Sequence, residues 1–250
     1  MGLFGRKGVT PPPPGGGSGG EGDDPKSHPG HQAVLRHIAD KEKTDPGFRE
    51  RVAGGIVFDL ACQLLQTERG VRIENLLAML ASVGGRQCIV PILEAAPPNT
   101  TFEQLNLMGV QGNDGRLYLF GDPPNKLLLE SPDSLLSLAF GAAQGLGAPV
   151  TMAMIEEEMR LVASRVGGPE FDVLDLPGQH MVDNPGEWAK LFSPKIVEAL
   201  DLYDVPPMRR ATAVGYAIQK AMDAGAQTLD PLIAARIVLQ CAARASKLVR

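Results

Sequence analysis

Carboxylate, amide and ammonium groups come together in the short stretch Asp122-Pro123-Pro124-Asn125-Lys126, with Glu130 just beyond it. A turn stiffened by two prolines and opened by Gly121 could let Asp122, Asn125 and Lys126 converge on a ligand. A partly buried Lys126 there could hold an anion or shift its pKa. The same residues also make a turn with no ligand at all. Asp and Asn side chains bond their own turn backbone, Pro fixes φ, and Gly121 permits the bend. The purely structural reading is the stronger of the two, and a small-molecule pocket near 121–126 stands as the alternative to the leading functional reading.

Three histidines, His28, His31 and His37, lie close together with Asp40. Imidazoles are good ligands for zinc, copper or nickel. But His28 and His31 straddle Pro29-Gly30, so a closed tetrahedral site would need the chain to fold back, and we read these as solvated histidines at a helix start. No metal is expected. Glu156-Glu157-Glu158 offers consecutive carboxylates, which fan out by about 100° each on a helix and do not face one another; the reading is a solvated face. Arg209-Arg210 forms a small basic knob. Trp188 with Phe192 four positions on anchors a helix to the core. Cys62, Cys88 and Cys241 are an odd number at wide spacing among apolar neighbours, which reads as reduced, buried thiols.

No Walker loop, dinucleotide fingerprint, His-Glu-x-x-His, Gly-x-Ser-x-Gly or Cys-x-x-Cys is present. Nothing calls for a cofactor, and the enzyme question leans to no. Against 29 acidic residues stand 24 basic ones, a net charge of −5, with no Lys/Arg run able to track phosphates; nucleic acid is not an expected partner. No uninterrupted apolar run approaches the length that spans a bilayer, and the N-terminus lacks a secretory apolar region. Arg6 stands where a myristoylation signal carries Ser or Thr. The expectation is a cytoplasmic protein with no membrane span.

Residues 1–30 are set apart by Pro11 to Pro14 and Gly15 to Gly20, too poor in apolar groups to offset the entropy of ordering. This reads as a disordered arm that tethers the heptapeptide Met1 to Lys7, whose Leu3, Phe4, Arg6 and Lys7 form a candidate docking peptide. Residues 31–250 read as one α+β domain, helix-dominated, with a small antiparallel meander. Hydrophobic residues recurring at three- and four-residue steps predict a first helix over 31–41 and one capped by Asp45 with Pro46 at its first position, ending near Gly70. A third follows, with Ile73, Leu76, Leu77, Leu80 and Val83 on one face, stopped by Gly84-Gly85. Cys88 to Leu93 reads as an edge strand because of Pro91. Leu105 to Val110 and Arg116 to Phe120 flank the turn Gly112-Asn113-Asp114-Gly115, a strong hairpin signal. A third strand is expected over Lys126 to Glu130. Ser131 caps a central, buried helix over 135–146, and a surface helix covers 152–166. A short strand is expected over 171–176. Two helices, 185–192 and 194–203, are separated by Pro194, and two longer ones complete the chain, the last started by Asp230-Pro231.

The helix from Arg72 to Leu80, the Phe120-Gly121-Asp122 to Asn125 turn followed by Leu128, Glu130 and a Gly-Ala-Ala-Gln helix, and Leu229-Asp230-Pro231 with Ala234-Ala235-Arg236-Ile237-Val238 together resemble a group of bacterial proteins without assigned function. The resemblance covers residues 70–250 and brings no site residues with it. The leading functional expectation is therefore a non-enzymatic, cytosolic adaptor or regulatory protein that binds a protein partner or a second copy of itself.

Overall fold

The structure is a computed structural model that describes residues 25–180, 182 and 185–248. Along the chain run helices α1 (Pro29–Glu42), α2 (Phe48–Leu65), α3 (Ile73–Arg86) and α4 (Val90–Glu94), then strands β1 (Leu107–Gln111) and β2 (Leu117–Gly121). Helices α5 (Asp122–Asn125), α6 (Leu135–Gly145), α7 (Met152–Ser164), α8 (Pro185–Leu202), α9 (Arg210–Gly225) and α10 (Pro231–Ala245) follow. The architecture is helix-dominated α+β, and its described sheet is a two-stranded antiparallel hairpin.

Helix α3 is the axis of the core, buried at every position from Leu76 to Gly85. Each Leu, Met or Val it removes from water contributes about 1.5–3 kcal/mol, so covering it on all sides drives the assembly. Helix α10 lies against it at backbone distance: a Cβ on Gly85 would meet the carbonyl oxygen of Ala242 at 2.3 Å. Helices α2 and α9 approach similarly, with Gly54 facing the carbonyl of Ala213. The helix ends at Arg86, one residue past the expected stop at Gly84-Gly85. Both glycines lie inside α3, where missing side chains permit close helix contact. The stretch Ile73–Glu94 is long and apolar enough to cross a membrane by composition, yet 83% of its most apolar 18-residue window is buried within the fold. Its hydropathy serves the core here.

Local signals place several helix starts as read. Asp230 caps α10 by accepting from the N–H groups of Leu232 and Ile233 at 2.7 and 3.3 Å, satisfying donors the helix cannot pair itself. Others moved. Helix α2 begins at Phe48 after Gly47, whose φ is 92°, and α6 takes Ser134 as its cap. Helix α6 is buried only along Leu135, Leu136, Ala139, Phe140 and Ala143, so the central place belongs to α3. Helix α1 starts at Pro29, capped by His28.

The hairpin forms as expected, Gly109 opposite Leu119, but its meander does not. Gly121 (φ 155°) ends β2, and Pro123-Pro124 then occupy the first turn of α5, where a missing N–H costs nothing. A wide π-type turn carries Lys126–Glu130, with Leu128 buried. Pro91 likewise opens helix α4, so Cys88 to Leu93 is no strand. Residues 171–176 form a turn and irregular chain. Pro194 lies inside one continuous helix, α8, and does not split it.

Candidate functional site

At its N-terminal end α3 meets the last turns of α2 and the end of α9 around a cleft of about 340 Å³, lined by Phe58, Cys62, Ile73 and Leu76 on its apolar side and by Arg72, Glu74 and Thr228. Glu74 pairs through one oxygen with Nδ1 of His180 at 3.0 Å and through the other with Nε of Arg72 at 3.2 Å. Arg72 also donates to the carbonyl of Gln179 at 2.9 Å. Burial alone would raise the Glu74 carboxyl, but hydrogen bonds from His180 and its own backbone N–H, with the Arg72 charge, outweigh it and hold the group below its ordinary value. A carboxylate beside an imidazole is the beginning of a general base. Cys62, on the wall of the same cleft, is a poor nucleophile because burial first, and Asp59 second, push its thiol upward. The arrangement suits holding a small polar group at the mouth of an apolar cleft.

Arg72 has a second neighbourhood. With Leu64, Leu65, Asn75, Trp188, Leu191 and Phe192 it lines a depression of about 330 Å³ between α2 and α8. Farther along the same two helices, Leu60 of α2 faces Pro194, Val197, Ala199 and Leu202 of α8 around a shallower hollow of about 620 Å³, with Lys26 at its end. Leu60 pairs with the later part of α8 and Leu64 with the earlier part, so the helices run antiparallel and the two hollows form one valley. From Trp188 to Leu202 that valley measures roughly 20 Å at the helical rise. Leu191 is 67% exposed, and Trp188 sits edge-on to Phe192 at 6.4 Å. A groove with an apolar floor and an aromatic pair, rimmed by Gln66, Thr67, Arg72 and Asn75 at one end and by Lys26, Lys195, Glu198 and Asp201 at the other, is the shape that accepts an amphipathic segment.

Compared with protein-family models, with curated proteins and with solved structures, the chain matches none. Its functional reading therefore rests on this geometry.

The residues singled out in the sequence are placed as follows. Asp122 and Lys126 are exposed on α5 and the turn after it, and Asn125 accepts from Nζ of Lys247 at 3.3 Å; these three line neither the cleft nor the valley. Leu3, Phe4, Arg6 and Lys7 lie outside the described residues. The histidines diverge: His28 caps α1, His31 bonds the Leu202 carbonyl at 2.7 Å, His37 stacks edge-on to Phe48, and Asp40 pairs with Lys43.

Glu156 and Glu157 are exposed, but Glu158 is buried, bonding Nε of Arg236 and Nε2 of Gln240, each at 2.8 Å. The solvated-face reading fails there because α10 covers that side of α7. Arg209 and Arg210 form no free knob: Arg209 bonds Glu50 at 2.6 Å and Asp133, and Arg210 bonds Asp201 at 2.5 Å. Cys88 and Cys241 are buried and free, pushed up to about 12 by burial; Cys62 is half-buried. Sequence reasoning missed Arg72, Glu74, His180 and Leu191 as a site.

Proposed function

We propose that this chain is a non-enzymatic protein-interaction protein of the cytoplasm, which takes an apolar segment of a partner into the valley between α2 and α8. The observation that carries the reading is Leu191, 67% exposed beside Trp188 and Phe192 in a depression between α2 and α8 that the loop after α2 and the start of α3 close at one end. Exposed single leucines are ordinary, but one seated in a groove beside two aromatic side chains is characteristic of docking surfaces. Free thiols at Cys62, Cys88 and Cys241 accord with a reducing compartment.

The test is capture from native lysate by the full chain and by its Leu191→Asp variant, quantified by mass spectrometry. Leu191 contributes little to the core, so the variant should fold. A partner held by the parent chain and lost by the variant supports the reading. Identical retention by both removes the valley as the docking site.

A second reading has its own observation. The Arg72, Glu74 and His180 group at the mouth of the 340 Å³ cleft favours a small amphipathic ligand there, since a few polar groups over an apolar cleft are the usual make-up of a ligand site. A thermal-shift screen of small molecules separates the two. Ligands whose stabilisation vanishes in Glu74→Gln, but persists in Leu191→Asp, would favour the cleft.

A further inference from the structure

The described chain begins at the end of the valley. Lys26, in its wall, is fixed there by an ion pair with Asp204 at 2.7 Å, and Gln32 of α1 bonds the Lys26 carbonyl at 2.7 Å. Residues 1–24 therefore enter the fold at the mouth of this groove. The large apolar side chains of that segment are Met1, Leu3, Phe4 and Val9, all before Pro11; after them come the prolines, the glycines and the acidic Glu21, Asp23 and Asp24.

We propose that Leu3 and Phe4 of the same chain dock in the valley between α2 and α8, so that the protein's own N-terminus is the first occupant of its partner site. This rests on the valley being the docking surface, as argued above. Reach is not limiting. The 22 residue steps from Phe4 to Lys26 can reach roughly 70 Å at most, well beyond the valley's length of roughly 20 Å. Because the tip is tethered at the valley's end, its effective concentration there is on the order of millimolar. Two apolar side chains that would bind too weakly as a free peptide then suffice to fill the trough for much of the time.

Charge is compatible with the pairing. The valley carries Lys26 and Lys195 against Glu198 and Asp201, and the segment carries Arg6 and Lys7 at its tip against Glu21, Asp23 and Asp24 at its root. At the Leu191 end the valley adds Arg72, which Glu74 pairs at 3.2 Å, so the charges on the two sides are mixed and do not by themselves select the tip. The consequence is competitive autoinhibition. A partner must displace the tip, and its apparent affinity falls by the fraction of chains whose valley is open.

The experiment uses the full chain with Phe4 replaced by the photoreactive aromatic benzoylphenylalanine, irradiated in dilute solution and mapped by mass spectrometry. The substitution keeps an aromatic side chain at position 4, and far-UV circular dichroism of the product checks that it folds as the parent chain does. The expected result is an adduct of monomer mass joining position 4 to the segment around Leu60 and Leu64 or to that between Trp188 and Leu202, with a yield unchanged on dilution. Adding Leu191→Asp should cut that yield severalfold. No adduct, or adducts mapped elsewhere, overturns the proposal. Adducts of dimer mass whose yield falls on dilution overturn it too, and assign the valley to a second copy.

Failure here is separable from failure of the functional reading. A valley that loses its partner in Leu191→Asp but gives no crosslink removes only the autoinhibition. A crosslink in the valley, with partner retention unaffected by Leu191→Asp, keeps the docked tip and removes the partner site.

Discussion

A Cβ atom added to Gly85 would stand 2.3 Å from the carbonyl oxygen of Ala242, with the Cα of Ala242 at 2.8 Å. Both are backbone atoms of α10, which cannot swing aside as a side chain can. Gly85→Ala should therefore separate the two central helices and destabilise by about 3 kcal/mol, the upper end of the overpacking range. Gly55 on α2 provides the contrast, since its nearest neighbour is Nζ of Lys220 at 3.9 Å. There, Gly→Ala should stabilise by roughly 0.5–1 kcal/mol through helix propensity alone. Urea unfolding of both variants decides it; equal effects would mean that α3 and α10 do not meet as described.

That contact also shows what the sequence could convey. The stripe Ile73, Leu76, Leu77, Leu80, Val83 announced an amphipathic helix, and Asp230-Pro231 announced the start of its neighbour. Gly84-Gly85 read locally as a terminator, because only a facing helix gives buried glycines another use. Cys88 to Leu93 and Lys126 to Glu130 are short apolar runs, too short to reveal a period, and Pro91 and Pro123-Pro124 open helical turns as readily as they end strands. The hairpin was legible because Gly112 to Gly115 has one favoured use. The site was hidden for another reason: Glu74 and His180 lie 106 positions apart, and the valley is built from Leu60, Leu64, Leu191 and Val197, each an unremarked member of its own helix. Only tertiary packing makes a trough of them.

Glu158 and Glu157 are chain neighbours with opposite surroundings. The Glu158 side chain is 6% exposed against Arg236 and also accepts from Gln240, whereas Glu157 points to water. Glu158→Ala should cost about 1–2 kcal/mol: it removes one acceptor of Gln240 Nε2, which keeps its bond to the Asp175 carbonyl at 3.1 Å, and the nearer partner of Arg236, which keeps Asp175 at 3.6 Å and is partly screened by its own exposure. Glu157→Ala should change stability by less than about 0.5 kcal/mol. Thermal or urea unfolding of the pair checks this, and equal losses would place the two carboxylates in like environments.

The three thiols should react in order. Cys88 and Cys241 are fully buried and pushed up to about 12 by burial, while Cys62 lines the cleft beside Arg72 and Glu74. Maleimide at neutral pH should place one adduct on the native chain, at Cys62, slowly because its thiol is also raised. Unfolding in denaturant should expose the other two. Peptide mapping identifies the site, and early labelling of Cys88 would contradict the packing of α3. A molecule that enters the cleft should slow the Cys62 reaction, which makes the label a direct probe of occupancy.

Lys247, just beyond α10, is 6% exposed, with its ammonium over the Phe120 ring at 5.2 Å and 3.3 Å from Oδ1 of Asn125. Burial depresses its pKa below the ordinary 10.5, so the folded state disfavours the charged form. Between the depressed value and 10.5 the unfolded chain binds more protons than the folded one, and stability from this group rises with pH across that window. Below the window the charge persists in both states and its burial cost is fully felt. Lys247→Met, which keeps the length and removes the charge, should gain about 1–2 kcal/mol at neutral pH. That advantage should shrink as pH climbs toward 10.5. The buried Cys88 thiol, raised from 9.0 to about 12, acts oppositely, withdrawing stability above pH 9, but does so in both proteins. Lys247 itself holds the Cys88 thiol slightly down, so the comparison of their urea-unfolding curves is read below pH 9, where that thiol is protonated in both states. A gap that stays constant with pH, or a variant less stable throughout, would show that the Lys247 ammonium is well solvated in the fold.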